Sequence, residues 1–179
     1  SIGLKTQDLK WKPGGVTRTE IGDRNTFREY VTVHSATGDG EVTNVGSDNH
    51  ILAYCHLAHN VTVGHRVIMS NVATLAGHVT VEDHAVIGGL VAIHQFCRVG
   101  KMAMIGGCSK VVQDIPPFMI ADGNAARTVT VNKVGLERNG VSEEAQTALR
   151  QAYKILFRAG LTIPNALEQI ESELPPLPE

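Results

Sequence analysis

The fold is decided by the stretch from Ile51 to Val99, which reads ILAYCHLAHNVTVGHRVIMSNVATLAGHVTVEDHAVIGGLVAIHQFCRV. Within it an aliphatic or other apolar residue returns at every sixth position, and the same series continues on both sides. Only Asp39 interrupts it. The complete series is Ile21, Phe27, Val33, Val45, Ile51, Leu57, Val63, Met69, Leu75, Val81, Ile87, Ile93, Val99, Ile105 and Val111.

A period of six fits neither the 3.6-residue turn of a helix nor a two-residue strand alternation carried across loops. It indicates a repeat in which short strands turn a corner every six residues. Three such faces make one coil of about eighteen residues, so the series predicts a prism-shaped parallel β-helix. Residues eighteen apart then stack about 4.8 Å from each other, the usual spacing of neighbouring strands.

The repeat predicts a mainly β domain over residues 1–120, with loops near residues 4–19 and 35–43. In the second loop Gly, Asp and Ser depart from the six-residue pattern. Because Val33 and Val45 are still twelve residues apart, we expect this loop to replace one face of a coil without shifting the register.

The remaining residues, 121–179, predict a connecting segment and a small helical domain. The pair Pro116-Pro117 is expected to end the repeat, since proline cannot donate to a strand ladder. Ser142 is a candidate N-cap for an amphipathic helix that ends at Gly160. A second helix is predicted from Thr162 to Leu174, with Pro175-Pro176 closing it.

Composition restricts the classes of function. The chain has 179 residues, 42% hydrophobic and 4% aromatic, with 18 glycines and a net charge of −2. The small negative charge gives no general attraction to nucleic acid or to a membrane surface, and the sequence has no apolar run of membrane-spanning length. The three cysteines are odd in number and lack CxxC spacing, which favours the reducing cytoplasm.

Stacking at eighteen residues turns scattered histidines into a candidate site. It places His59, Gly77 and Gln95 in one column, with His94 beside it on one side and His78 on the other. His56 lies three residues before His59. Another column is expected to be a solvated ladder of charges, and its members are His65, Asp83 and Lys101.

The histidine column favours acyl transfer to an alcohol. A histidine is partly available as a base at neutral pH, which suits the removal of a hydroxyl proton, and His59 is the best candidate. Gly77 above it can bring its backbone N–H close to a developing oxyanion. Neither Ser70 nor Cys55 stacks within reach of His59, so direct attack by the substrate is simpler than a covalent intermediate.

Two other classes of function stay open at this point. A zinc site on His56, His59 and His78 would resemble a carbonic anhydrase, although His56 and His59 should point in different directions. We therefore expect no metal. A purely structural solenoid would show flat repetitive Thr or Ser faces, which the sequence lacks.

Several motifs resemble the acyl-carrier-protein–UDP-N-acetylglucosamine O-acyltransferase family, over nearly the whole chain. Relative to that family the first coils are expected to be missing. The motifs are Gln7-Asp8-Leu9-Lys10, Ile21-Gly22-Asp23-Arg24-Asn25, Arg28-Glu29, Val31-Thr32-Val33-His34, Leu57-Ala58-His59-Asn60, Ala73-Thr74-Leu75-Ala76-Gly77-His78, His94-Gln95-Phe96-Cys97, Gly106-Gly107-Cys108-Ser109 and Gly123-Asn124.

The resemblance implies a left-handed β-helix, a cytoplasmic homotrimer with active sites between subunits, and no cofactor. The donor would be an R-3-hydroxyacyl group on the phosphopantetheine of acyl carrier protein, and the acceptor the 3-hydroxyl of UDP-N-acetylglucosamine, in the first step of lipid A synthesis. His59 would be the base and the Gly77 N–H the oxyanion donor. The sugar nucleotide would be held by Asp8, His56, His78, His94, Gln95, Asn132 and Arg138.

The resemblance further implies that Lys10 meets the phosphopantetheine arm and that Gly107 sets the length of the acyl chain. Acidic acyl carrier protein is expected to dock on basic residues such as Lys10, Arg98, Lys101, Lys133 and Arg138. The runner-up is the related N-acyltransferase that acts on the 3-O-acylated glucosamine.

Three positions depart from the family. Where some members have His-Asp, this chain has His59-Asn60, so any help that a carboxylate gives the base is lost or comes from elsewhere. Val134 and Asn139 stand where an acid and a second arginine can occur, which predicts weaker or rearranged nucleotide contacts.

Overall fold

The structure is a computed structural model and describes residues 1–174. Within those residues three helices follow a long series of short strands: α1 (Lys133–Arg138), α2 (Glu143–Arg158) and α3 (Ile163–Glu173). In chain order the strands are β1 (Ile2–Leu4), β2 (Arg18–Ile21), β3 (Thr26–Phe27), β4 (Thr32–His34), β5 (Val42–Val45), β6 (His50–Ile51), β7 (His56–Leu57), β8 (Thr62–Val63), β9 (Ile68–Met69), β10 (Thr74–Leu75), β11 (Thr80–Val81), β12 (Val86–Ile87), β13 (Ala92–Ile93), β14 (Arg98–Val99), β15 (Met104–Ile105), β16 (Lys110–Val111), β17 (Met119–Gly123) and β18 (Ala126–Val131).

The strands form the three faces of a left-handed parallel β-helix, as predicted. Successive strands of one face come from successive coils, in the orders β1-β4-β7-β10-β13-β16, β14-β11-β8-β5-β2 and β18-β17-β15-β12-β9-β6-β3. Thr74 pairs in parallel with His56 on one side and with Ala92 on the other, so these coils contain eighteen residues.

The core of the β-helix is the predicted apolar series. From Val33 to Val111 every member of that series is at most 2% exposed, and Ile21 and Phe27 are partly buried against it. A second buried series, two positions earlier in each repeat, consists of small residues and was not predicted from the sequence. Its apolar members include Cys55, Val61, Val67, Ala73, Val79, Ala85, Val91, Cys97 and Ala103.

The corners between faces hold non-glycine residues in the left-handed region of backbone space. Val72 has φ 65°, Leu90 has φ 59° and Asn60 has φ 60°. This conformation is costly for a residue with a Cβ, and most of all for a β-branched one. Hydrogen bonds to the neighbouring coil hold it in place, as from Val72 N to Ala53 O at 3.0 Å and from Leu90 N to Asn71 O at 3.0 Å.

The loop after β4 differs from the prediction. It does not replace a face: β5 forms the next face after the loop, and Val33 therefore pairs with Leu57, twenty-four residues later. The loop adds six residues to one coil, which preserves the inward and outward pattern because six is one full repeat. Residues stacked across this coil are thus found by subtracting twenty-four.

The expected charge ladder of His65, Asp83 and Lys101 is corrected at its first two members. The Asp83 carboxylate accepts from the backbone N–H of His65 at 2.7 Å, and the His65 ring accepts from the N–H of Ser47 at 2.9 Å. The N–H of Lys101 donates to Glu82 at 2.7 Å. The side chains of His65, Asp83 and Glu82 thus satisfy corner N–H groups of adjacent coils, which gives His65 and Asp83 a structural role in place of the expected one.

The chain divides into two compact units, Ser1–Val129 and Thr130–Glu179. The division falls nine residues after the predicted boundary at 120, because β17 continues the third face after the proline pair, with Ile120 opposite Met104. Among residues 1–174, none of the helices is long and apolar enough to cross a membrane.

The helical predictions for the second unit are confirmed. The Ser142 side chain caps α2 by accepting from Ala145 N at 3.2 Å, with Glu143 and Glu144 in the first turn. The next helix starts after Thr162 and ends before Leu174. The predicted stop at Pro175-Pro176 lies outside the described residues.

Replacing Ile51 tests whether the inward series stabilises the fold. Its side chain is fully buried, so Ile51→Ala should lower the free energy of unfolding by about 2–5 kcal/mol. The neighbouring exposed residue supplies the control: His50→Ala should change it by less than about 0.5 kcal/mol. Chemical denaturation of both variants checks this, and equal losses would contradict the assignment of the core.

Candidate functional site

The candidate site is centred on His59, which lies directly against Gly77. A Cβ built on Gly77 would stand 2.5 Å from His59 Nε2, so any side chain at this position would collide with the ring. The two coils are joined here by a hydrogen bond from His78 N to His59 O at 3.1 Å. Among residues 1–174, the backbone N–H of Gly77 has no hydrogen-bond acceptor.

The other edge of the His59 ring faces the corner residue Asn60. His59 Nδ1 and Asn60 Oδ1 are 2.9 Å apart. Asn60 is itself held on two sides by the loop after β4. Its Oδ1 accepts from the Thr37 N–H at 3.1 Å and the Thr37 hydroxyl at 2.9 Å, and its Nδ2 donates to Glu41 Oε2 at 2.7 Å.

Aromatic contacts continue the site on the next coils. The rings of His59 and His78 meet edge to face with centroids 5.2 Å apart, and His78 stacks on Phe96 at 4.7 Å. His94 is exposed on the same face as Gln95, and its Nδ1 lies 3.2 Å from the Gln95 carbonyl oxygen. The structure thus brings His59, Gly77 and His78 together and leaves the His94 side chain open to solvent.

Two further histidines adjoin His59, and one of them had no role assigned from the sequence. The buried His34 ring meets His56 edge to face at 4.8 Å, and the Thr32 hydroxyl lies 2.7 Å from His56 Nδ1. The twenty-four-residue coil is what places Thr32 and His34 beside His56. Stacking residues eighteen positions apart would not have placed Thr32 and His34 beside His56.

The environment of these two histidines disfavours their charged forms. Burial lowers the pKa of His34, and the nearby His59 lowers it further. Burial also lowers the pKa of His56, with His34 and His59 adding to the effect. Within the described residues His34 Nδ1 is buried without a hydrogen-bond partner. An uncharged polar cluster of this kind suits contact with a hydroxyl-rich ligand.

Other predicted site residues lie elsewhere on the two units. In the loop after β1 the Asp8 carboxylate accepts from the Lys10 N–H at 2.9 Å, which closes a local turn. In the second unit Asn132 caps α1 by accepting from Gly135 N at 3.1 Å, and the exposed Arg138 is in its last turn. Their predicted contacts with the sugar nucleotide stay predictions.

Gly107 stacks on Gly89, as the register predicted. A Cβ at Gly107 would meet Gly89 O at 3.3 Å, and the left-handed conformation at this corner belongs to Cys108, with φ 62°. The corner geometry therefore does not itself demand glycine at position 107. A side chain here is compatible with the fold if its neighbour shifts by a few tenths of an ångström.

Two of the basic residues expected to attract acyl carrier protein have acidic partners. Arg98 Nε donates to Glu82 Oε1 at 2.6 Å, and Lys133 Nζ lies 3.6 Å from Glu137. Surface ion pairs of this kind contribute little to stability. Across the part of the chain that the structure describes, no group of three His, Cys, Asp or Glu side chains is arranged to hold a metal ion.

The lowered pKa values of His34 and His56 make the stability of the fold depend on pH. Both rings bind protons more readily in the unfolded chain, where the ordinary value is about 6.5, so acid favours unfolding. The free energy of unfolding should have its full value above about pH 7 and should fall as the pH drops below about 6.5. His34→Gln should reduce this dependence, and His50→Gln, which removes an exposed histidine, is the control. Denaturant midpoints from about pH 5 to 8 measure it; parallel curves for all three proteins would contradict the assignment.

Comparison with known proteins adds to this geometry. Residues 114–179 match the family described as Udp N-acetylglucosamine O-acyltransferase, domain 2. A relative from Gloeothece citriformis, named acyl-[acyl-carrier-protein]–UDP-N-acetylglucosamine O-acyltransferase, is 43% identical over 96% of this chain. The chain spans 62% of the length of that relative.

Solved structures give the same result. LpxA from Acinetobacter baumannii superposes with a TM-score of 0.92 at 41% identity, over 97% of this chain and 67% of its own. LpxA from Bacteroides fragilis, described as a UDP-N-acetylglucosamine acyltransferase, superposes with a TM-score of 0.95 at 38% identity, over 99% of this chain and 69% of its own.

Proposed function

Because the chain belongs to the acyl-carrier-protein–UDP-N-acetylglucosamine O-acyltransferase family, we propose that it transfers an acyl group from acyl carrier protein to UDP-N-acetylglucosamine. The family membership agrees with the resemblance predicted from the sequence motifs. The proposed product carries an R-3-hydroxyacyl ester on the 3-hydroxyl of the sugar, the first step of lipid A synthesis. The enzyme is proposed to act in the cytoplasm as a homotrimer and without a cofactor.

One observation supports the mechanism above all: the Nε2 edge of His59 lies against Gly77 while its Nδ1 is engaged by Asn60. Such a ring has one nitrogen left for proton transfer. In the proposed step the sugar O–H bond breaks, its proton goes to His59 Nε2, and the oxygen attacks the thioester carbonyl carbon. The N–H of Gly77 is available to stabilise the oxyanion.

The second half of the reaction balances the first. The tetrahedral intermediate collapses with cleavage of the C–S bond, and the departing thiolate of the phosphopantetheine arm takes the proton back from His59 Nε2. No side chain needs to become acylated. The half-exposed rings of His56 and His78 are proposed to contact the sugar, and Lys10 the arm of the donor.

Replacing His59 tests the proposed base. His59→Ala should lower kcat by roughly 100-fold or more, since general-base catalysis commonly contributes that much. The assay supplies R-3-hydroxyacyl carrier protein and UDP-N-acetylglucosamine and identifies the product by mass.

His50→Ala, which removes an exposed histidine from β6, is the matched control and should keep full activity. Near-normal turnover by a folded His59→Ala protein would overturn the proposed base. A wild-type protein that acylates only the amine of a 3-O-acylated glucosamine would instead support the N-acyltransferase reaction.

Replacing Gly107 tests the proposed control of acyl length. The stacked pair Gly107 and Gly89 presents no side chain over two coils, which leaves room for a long acyl tail. Each buried CH₂ contributes about 0.8 kcal/mol, so two carbons can change the preference roughly tenfold. Gly107→Met should shift selection toward shorter chains.

Competition between carrier proteins that bear chains of different length measures this shift. Gly107→Ala adds only one carbon and should shift the preference less, which makes it the graded control. An unchanged preference in a folded Gly107→Met protein would show that the tail does not pass over this corner.

A further inference from the structure

Glu41 lies in the loop after β4 and reaches the site through Asn60. Its Oε2 accepts from Asn60 Nδ2 at 2.7 Å and from the Gly38 N–H at 2.7 Å. The hydrogen bond from Asn60, followed by that from Gly38, lowers the pKa of the Glu41 carboxyl group. Glu41 is therefore an anion at neutral pH and can only accept hydrogen bonds at this contact.

The two neighbours of Asn60 leave its amide a single orientation. The ionised Glu41 accepts only, so the amide nitrogen must face it. The backbone N–H of Thr37 donates only, so the amide oxygen must face Thr37. That same oxygen lies 2.9 Å from His59 Nδ1. His59 Nδ1 must then carry the proton, which leaves Nε2 with its lone pair on the side of Gly77.

We propose, on the basis of the acyltransferase function above, that Glu41 is a positioning residue that fixes the tautomer of His59 through Asn60. The chain has Asn60 where a carboxylate next to the base can occur in the family, and Glu41 supplies that negative charge one amide away. That charge, although exposed to solvent, strengthens the preference of the Asn60 amide for the orientation that leaves His59 Nε2 free to take a proton.

A structural role of Glu41 would have different consequences. Its carboxylate also holds the Gly38 N–H, so its removal could loosen the loop and lower activity without any effect on the tautomer. A double-mutant cycle separates the two roles, because the loss of a purely structural loop contact should lower activity equally whichever residue occupies position 60.

The cycle combines Glu41→Gln with Asn60→Asp. On its own, Glu41→Gln can keep an oxygen toward the Gly38 and Asn60 donors but loses the charge, so the Asn60 orientation is less strongly fixed and kcat should fall about tenfold with little change in KM. An aspartate at position 60 would accept the hydrogen bond from His59 Nδ1–H directly, but its carboxylate would lie beside the like charge of Glu41. In the double variant the introduced glutamine can donate its amide to the introduced aspartate, so kcat should return to within about threefold of wild type.

Asp39→Asn is the matched control. Asp39 is an acid of the same loop, and its carboxylate accepts from the Val16 N–H at 2.7 Å rather than from Asn60. This variant should keep full activity, and adding it to Asn60→Asp should leave the activity of that variant unchanged.

Nitrogen NMR of the His59 ring gives a readout independent of turnover. The ring signals are assigned by their loss in His59→Gln. In the uncharged ring the wild-type protein should show the Nδ1–H tautomer, Glu41→Gln a smaller excess of it because the Thr37 N–H still orients Asn60, and the double variant Nδ1–H again.

The outcomes separate this proposal from the proposed function. A wild-type Nε2–H tautomer, or Glu41→Gln with unchanged tautomer and kcat, would overturn the role of Glu41. An equal loss of kcat from Glu41→Gln with either residue at position 60, with the tautomer unchanged, would also overturn it in favour of a loop contact. A protein that shows the expected tautomers but does not acylate UDP-N-acetylglucosamine would retain the positioning role and refute the proposed function.

Discussion

The parallel hydrogen bonds between successive coils are the interaction on which the rest of the β-helix depends. Each strand contributes only a few residues, too few to be stable alone. Stacking gives the inner strands two neighbours each and buries apolar side chains from all three faces in a common core. The same bonds hold bulky residues such as Val72 and Leu90 in left-handed corners, a conformation that the isolated chain would avoid.

The fixed register of the coils also builds the candidate site. His59 and Gly77 are eighteen residues apart, so they meet because the backbone ladder places them one above the other, with no loop needed to bring them together. The proposed base and oxyanion donor, held on a rigid ladder, would lose little conformational freedom when substrate binds. The His59 ring occupies the space that a side chain at position 77 would fill, because a Cβ there would overlap the ring.

The repeat made the fold, the core and the His59 column predictable, because each follows from counting in sixes. The neighbourhood of His34 and Glu41 was not predictable, since it depends on whether the loop after β4 replaces a face or adds residues to a coil. Composition does not distinguish these possibilities: twelve residues from Val33 to Val45 satisfy the period either way. The strand pairing of Val33 with Leu57 shows that the coil has twenty-four residues, and this coil brings Thr32 and His34 to His56 and Thr37 to Asn60.

The corner conformation and the chemistry impose compatible demands on position 60. Asn60 has φ 60°, a region that Asn and Asp adopt more readily than most residues with a side chain. Both also present an oxygen that can accept from the ring of the preceding histidine. An aspartate supplies charge at that point, whereas an asparagine has both an acceptor and a donor, and the donor must be matched by an acceptor beyond it. Asn60 therefore connects His59 to the loop after β4, so the orientation of the proposed base depends on Glu41, a residue nineteen positions before Asn60 that the ladder itself does not align with it.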